Sequence, residues 1–450
     1  MRIPLAALLA VVAVLAARGS AAAPQTPSAG RGGDAVRTLA LNPPLWTVAA
    51  YDSLWKQWGA REKPAGYDQA VRERYGLLPS TPDGGGLPVG LVKARGPLGD
   101  GISPACVLCH TGSVAGKTYV GLGNASLDFQ SLAEDLTAAA GFKVNLPFRF
   151  SYARGTVDAV SPGAFLMRFR DAELNPRAEP AEAGEMPRDV LSDPPAWWLL
   201  KKKKTRDWTG VIAAESARVD LVTLLHPFHT AEHIKRHEPV FRDIHAFVLG
   251  VPAPAYPFPI NRSRAARGEG LFRDHCANCH GTYGKTWTYP NRIVPLKDLG
   301  TDPVLAAAVS DRQVDLFNST WLAREIGPDG APYRLTPARG YQAPPLDGVW
   351  ATAPYFHNAS VPTLDHVLNS KARPKVFTRS YRTAEVDYDP VRVGWKVTAL
   401  DQPPGPEVPY RQRRDVYDTT RRGQGNAGHA YGDDFTEDER AAVIEYLKTL

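Results

Sequence analysis

Apolar residues along this chain recur in short blocks at helical spacing, broken every few residues by proline or glycine. The clearest block is the last, where Val443, Ile444, Leu447 and Leu450 fall on one helix face. Thr436, followed three residues later by Glu439, supplies a capping box ahead of it. The pattern predicts two further helices, one over Pro239–Leu249 and a short amphipathic one over Arg264–Phe272. Sustained period-2 alternation is absent, so no strand-rich core is expected. Between Val251 and Pro259 stand four prolines, a density that neither a helix interior nor a central strand tolerates. The expected fold is therefore mainly α, with loop-rich extensions, divided at a Pro-rich linker over 251–260.

The N-terminus has a different pattern. Met1-Arg2 starts a short positive region, Pro4 to Ala17 is almost unbroken apolar, and Ser20 to Ala23 are small. This reads as a secretory signal peptide over 1–22, too short to cross a bilayer comfortably. A disordered lead is expected over 23–39, an N-terminal module over 40–250 and a C-terminal module over 261–450. No cysteine sits at the cleavage point, which argues against a lipoprotein anchor, and no later apolar stretch approaches membrane-spanning length. The expectation is a periplasmic or secreted chain without a membrane span. Forty prolines and 39 glycines in 450 residues fit a loop-rich chain. The net charge of +6 permits an acidic partner and does not suggest a nucleic-acid stripe.

Composition changes the picture most through cysteine. All four cysteines lie in two C-x-x-C-H segments, Cys106 to His110 and Cys276 to His280. This spacing is the attachment signature of c-type haem. The two thiols add across the porphyrin vinyl groups, and the following histidine becomes the proximal iron ligand. A single zinc site would need the two pairs to converge across residues 110 to 275, and thioredoxin-like C-x-x-C does not require the trailing histidine. Two covalently bound haem c groups are expected, attached through Cys106, Cys109, Cys276 and Cys279 and ligated by His110 and His280. Each then marks its own module, and the helix over Arg264–Phe272 leads directly into the second.

The sixth ligand decides what each haem does. Besides the initiator, the methionines are Met167 and Met186, and none follows Cys276. The second haem therefore has His357, His366, His429 and tyrosines as local candidates. No histidine occurs between His110 and His226, which leaves the first haem with Met167, Met186, a lysine, a tyrosine or nothing. An open iron binds peroxide or dioxygen, which a six-coordinate carrier cannot. His226, His229, His233, His237 and His245 read as a polar helix face rather than as ligands, and Lys201 to Lys204 as a solvated face.

Pro344 to Asn358, continuing through Val361-Pro362-Thr363-Leu364, resembles the dihaem cytochrome c peroxidase and MauG superfamily, in which a similar TAPYxHxG run follows the second haem motif. The variant here, with Cys279 to Gly284 and Gly425 to His429, is most similar to the rubber oxygenase (RoxA-like) branch. A "FWDGR"-like segment of the peroxidases is not recognisable. The resemblance implies two cytochrome c-like haem modules with their irons in electronic contact. One iron is six-coordinate and relays electrons. The other reacts with peroxide or dioxygen, and an organic substrate is possible. It places the distal ligand of the C-terminal haem shortly before the terminal helix, at His429 rather than His357, and a tryptophan between the haems, Trp197 or Trp198. In the rubber oxygenases the N-terminal haem sits in an apolar pocket, which Phe148, Phe150, Phe165, Trp197, Trp198 and Trp208 are suited to line. The expected function is an oxidoreductase served by a small redox partner protein, with catalytic residues unassigned. The competing function is a non-catalytic dihaem electron carrier.

Overall fold

The computed structural model describes residues 26–450, apart from 45, 82–84 and 97–98. The expected signal peptide, residues 1–22, lies outside the described residues.

Two helix pairs frame the chain, and each closes around a glycine. In the first, Ala29–Thr38 packs on Glu238–Gly250. A Cβ on Gly32 would lie 1.9 Å from the Asp243 carbonyl oxygen, so only glycine permits this approach. The pair is clamped at its end by Asp243, whose carboxylate accepts from the Arg31 guanidinium at 2.7 Å and from the Ser28 amide at 2.6 Å. In the second pair, Arg262–His275 packs on Glu437–Leu447. There a Cβ on Gly268 would lie 1.9 Å from the Ala442 carbonyl oxygen. Both helices of this pair are capped at their N-termini, the second by the box the sequence offers. Asn261 accepts from the Arg264 amide at 3.0 Å, and Thr436 and Glu439 form their capping box.

The expected disordered lead over 23–39 is thus corrected, because Ala29–Thr38 is helical and carries half of the first pair. Three glycines in that helix lower its intrinsic propensity, and packing on Glu238–Gly250 overrides the deficit. The expectation of a mainly α chain is corrected too. The structure is mixed, 35% helical and 13% strand, with long loops. The strands are short and antiparallel, in five two-stranded sheets and one three-stranded sheet among the described residues. One hairpin pairs Leu91–Gly96 with Gly99–Pro104 and delivers the chain to Cys106. Another, Thr111–Val114 with Lys117–Val120, follows His110. Ile293–Pro295 pairs with Gly340–Gln342 and sets the segment that faces His280.

The Pro-rich stretch after Gly250 has no helix or strand through Ile260. It is nonetheless anchored, since Pro254 accepts a hydrogen bond from the Trp350 indole at 2.8 Å. The largest core cluster takes in Val114, Leu122 and Trp198 from before this stretch, and Phe272, Trp350, Trp395 and Val443 from after it. Each of its three buried tryptophans donates its indole N–H to a carbonyl: Trp198 to Asp347, Trp350 to Pro254 and Trp395 to Ala353.

The glycine crossings give a direct test. Gly268→Ala is expected to destabilise the protein by about 1–3 kcal/mol, because the helices must separate. Gly270→Ala, two residues along the same helix and with nothing within 4 Å of the added Cβ, is expected to stabilise it by up to about 1 kcal/mol. Thermal melts of both variants check the contrast, and equal shifts would remove the close approach as the cause.

Candidate functional site

Both C-x-x-C-H segments open onto one cavity of about 2290 Å³. All four cysteines line it, as do His110, His280 and His429. A pocket for one small ligand occupies about 300–1,000 Å³, and this space is more than twice that size. The cysteines are unpaired and half-buried. Burial pushes the Cys106 and Cys109 thiols up to about 12 and that of Cys276 up to about 11. That is the reverse of the lowered values that make C-x-x-C dithiols reactive. Among the described residues no three His, Cys, Asp or Glu side chains converge on a metal-holding arrangement, which leaves the zinc alternative without a site.

His280 ends a single helical turn, Ala277–His280. Its Nδ1 lies 2.8 Å from the Pro344 carbonyl oxygen. A carbonyl only accepts, so Nδ1 carries the proton and Nε2 keeps its lone pair for a metal. The same segment is held again by Tyr283, which donates to the His280 carbonyl at 2.9 Å and accepts from the Leu346 amide at 2.6 Å.

His429 stands opposite His280, with ring centres 6.3 Å apart and planes at 61°. Two imidazoles that ligate one metal atom from opposite sides, each nitrogen about 2 Å from it, have ring centres about 6 Å apart. The spacing therefore fits an iron between them. Burial lowers the His429 pKa to about 4, helped by His280 and Arg373, so the ring is neutral and its lone pair is available. His429 reaches this place on an unusual backbone, at φ 47°. Its amide donates to the Leu299 carbonyl at 2.8 Å. The preceding Gly428, at φ +76°, lies so close to Gly300 that a Cβ would fall 2.3 Å from that residue's carbonyl carbon.

Arg373 is the residue that sequence reasoning missed here. It is buried, and its guanidinium donates to the carbonyl oxygens of Asn426 and Gly428 at 2.7 Å each and of His429 at 3.2 Å. Its other N–H groups reach the carbonyls of His366 and Val367. One planar fork thus ties the His429 loop to the helix Leu364–Leu368. An arginine surrounded by carbonyl oxygens has no local sequence signal.

The other candidates take different places. His357 is buried, lines the cavity and stacks on Tyr341 at 4.0 Å, with its Nε2 unpartnered among the described residues. His366 is buried away from the cavity, its Nδ1 3.0 Å from the Thr363 hydroxyl. Met167 lines the cavity and Met186 does not.

His110 has different company from His280. Its Nδ1 is buried and unpartnered among the described residues, and its ring stacks on the Trp197 indole at 5.0 Å and 25°. An indole offers no nitrogen lone pair to a metal. Trp197 lines the cavity, whereas Trp198 is turned into the core under Asp347. Phe148, Phe150, Phe165 and Trp208 also line the cavity. Two acids that were not singled out in the sequence line it as well. Burial raises Asp193 well above the carboxylate range against the pull of Arg379, and raises Asp158 to about 6. The lysine run is only half solvated. Lys201 and Lys204 are exposed, but Lys202 pairs with Asp347 at 2.8 Å and Lys203 lines the cavity, its pKa lowered to about 8 by burial.

Residues 340–378 match the family model described as RoxA-like, cytochrome c-like. That segment is similar to part of a cytochrome c-like domain. Such a domain implies covalently bound haem c. The matched segment holds Pro344, which orients His280, and Arg373, which holds the His429 loop. The chain is also similar to two uncharacterized proteins of Sinorhizobium fredii. It is 36% identical to y4iM over 54% of this chain and 58% of that protein, and 29% identical to y4iJ over 45% and 42%. The chain thus spans about half the length of the curated relatives it matches. Among solved structures, hydrazine synthase of Kuenenia stuttgartiensis overlaps 69% of this chain and 96% of its own, at 11% identity and a TM-score of 0.24, too low to bear on the fold. Among the described residues no helix is long and apolar enough to cross a membrane.

Proposed function

We propose that the chain is an exported oxidoreductase of the dihaem peroxidase and MauG kind, nearest the RoxA-like branch, with two covalent haem c groups. Cys276, Cys279 and His280 would hold one, with His429 supplying a second imidazole to it. Cys106, Cys109 and His110 would hold the other, which would supply the chemistry with peroxide or dioxygen. When bound, the haems supply electron storage and the activation of a small oxidant. The residues of the chain set ligation, access and the surroundings. The observation that carries the reading is the asymmetry of the two histidines. His280 has a second imidazole 6.3 Å away, whereas the one ring recorded against His110 among the described residues is the Trp197 indole stacked on its face, and no imidazole is paired with it.

The protein's part follows from this arrangement. Pro344 and Arg373 hold the two imidazoles of the C-terminal site in place, so that both would be available to a haem there that supplies electron transfer. Trp197 bridges the His110 side of the cavity to the segment that leads, through Trp198 and Asp347, toward the C-terminal core. The phenylalanines exclude water around the first site. Asp193, whose pKa burial raises well above the carboxylate range, is placed to hold a proton at its carboxyl.

Intact-mass measurement of the mature protein is expected to show two added haem groups, and EPR one low-spin and one high-spin ferric centre. Added cyanide should convert the high-spin signal alone. Two low-spin centres indifferent to cyanide would make the protein an electron carrier instead.

A further inference from the structure

A second cavity, of about 460 Å³, lies apart from the one that the cysteines line and shares no lining residue with it. That volume falls within the range of a site for one small molecule. Its walls are rich in arginine. Arg149, Arg413, Arg414 and Arg421 all line it. They come from two segments brought together by the fold, since Arg149 donates to the hydroxyl of Tyr410, 261 residues further on. Arg149 stands between Phe148 and Phe150, which line the larger cavity, so one short segment faces both spaces. The Phe150 amide is fixed by Gln130 Oε1 at 2.7 Å. Tyr410 and Arg413 lie on a single helical turn, Tyr410–Arg413.

The charges around this cavity do not balance. Arg414 is engaged by Asp128 at 2.7 Å, and Asp189, which also lines the cavity, by Arg422 at 3.2 Å. The guanidiniums of Arg149, Arg413 and Arg421 have no carboxylate partner among the described residues. Against them stands the carboxylate of Asp418, whose Oδ1 accepts from the Thr420 amide at 3.1 Å and hydroxyl at 2.7 Å. The positive groups are also crowded. The guanidinium carbons of Arg149, Arg413 and Arg414 lie 5.2, 5.7 and 5.8 Å from the centre of the one Tyr410 ring. Like charges this close repel unless an anion joins them. Two donors are left without an acceptor. Arg413 Nε is buried and has no partner among the described residues, which is costly for a donor out of reach of water. The Tyr410 oxygen accepts from Arg149 and, at 3.5 Å, from Arg414, so its own proton is free to donate.

We propose that this cavity binds a small organic oxyanion carrying two or more negative charges. Arg149, Arg413 and Arg421 supply the opposing charge, and Tyr410 donates its hydroxyl proton. A guanidinium presents its N–H groups as a planar fork that matches the paired oxygens of a carboxylate or a phosphate. Either group therefore satisfies the same donors. The site does not depend on the haems.

Isothermal titration of the intact protein with pyrophosphate and with citrate tests this. At least one probe is expected to fill a single site with a Kd of about 1 mM or tighter, whereas chloride at equal ionic strength gives no binding heat. The tighter probe tells a phosphate ester from a polycarboxylate as the ligand. Arg413→Gln and Arg421→Gln should each weaken binding about tenfold or more, the loss of one charge-assisted hydrogen bond. Arg334→Gln removes the same charge from an exposed arginine outside the cavity and should leave the affinity within about twofold. Arg421 is exposed, so Arg421→Gln decides the matter if Arg413→Gln does not fold. No binding of either probe would overturn the site. So would affinities that stay unchanged in the cavity variants, or that fall equally in all three, which would mark general charge attraction.

Discussion

Replacing His429 with alanine is expected to convert the C-terminal haem from low to high spin and to open it to carbon monoxide. Alanine removes the nitrogen that faces His280 and offers nothing in its place. The reduction potential of that centre should move by on the order of 0.1 V, within the roughly 0.8 V range that axial ligands set. His429→Met is the informative partner. It supplies a thioether at the same position, so the centre should stay low spin while its potential rises. Arg373→Met tests how the ligand is held. It leaves both imidazoles intact but removes the fork that grips the carbonyls of Asn426, Gly428 and His429. A mixture of spin states is expected, because a loop at φ 47° and +76° loses three of the hydrogen bonds that hold it and keeps the His429 amide bond to Leu299. Optical spectra and EPR of the three variants check this. An unchanged low-spin signal in His429→Ala would remove His429 as the ligand and turn attention to His357, whose Nε2 is buried without a described partner.

The parts of this site that were legible in the sequence are those written in neighbouring residues. The C-x-x-C-H segments, the capping box at Thr436 and the proline block after Gly250 each depend on a few adjacent positions. The choice of His429 among His357, His366 and His429 came from a family resemblance, since its placement depends on Leu299, Gly300 and Arg373, all more than 50 residues away. The first helix was hidden for a related reason. Gly30, Gly32 and Gly33 argue locally against a helix, yet Gly32 is what lets the helix touch the Asp243 backbone. The hairpins escaped because strands of two to six residues are too short to show alternation. The lysine run misled because four like charges suggest solvent, whereas Asp347 and the Asp207 carbonyl draw Lys202 and Lys203 inward.

Asp128→Ala is expected to be the most destabilising single change outside the haem site, at about 3–5 kcal/mol. Asp128 is fully buried, and its Oδ1 accepts from Arg414 Nη2 at 2.7 Å and Nε at 3.1 Å. The same oxygen caps the helix Phe129–Ala139 through the Ser131 amide at 3.2 Å. Arg414 is equally buried and also donates to the Ser151 carbonyl at 2.9 Å. The pair therefore joins the Phe129–Ser151 region to a segment 286 residues away in sequence. Removing the carboxylate strands a guanidinium in the interior, where an unpaired charge is far costlier than a lost contact. A protein with about 5–15 kcal/mol of total stability does not absorb that easily. Asp128→Ala combined with Arg414→Met should recover much of the loss, because no orphan charge remains. Burial alone would raise the Asp128 pKa, but Arg414 and the Ser131 bonds reverse this and hold it below the usual range. Its contribution is then complete above the ordinary carboxylate range and disappears as pH falls through the lowered value. Melting temperature against pH should accordingly drop less steeply on the acid side in the double variant than in the unaltered protein. A single variant within about 1 kcal/mol of the unaltered protein would show that the ion pair holds neither segment in place.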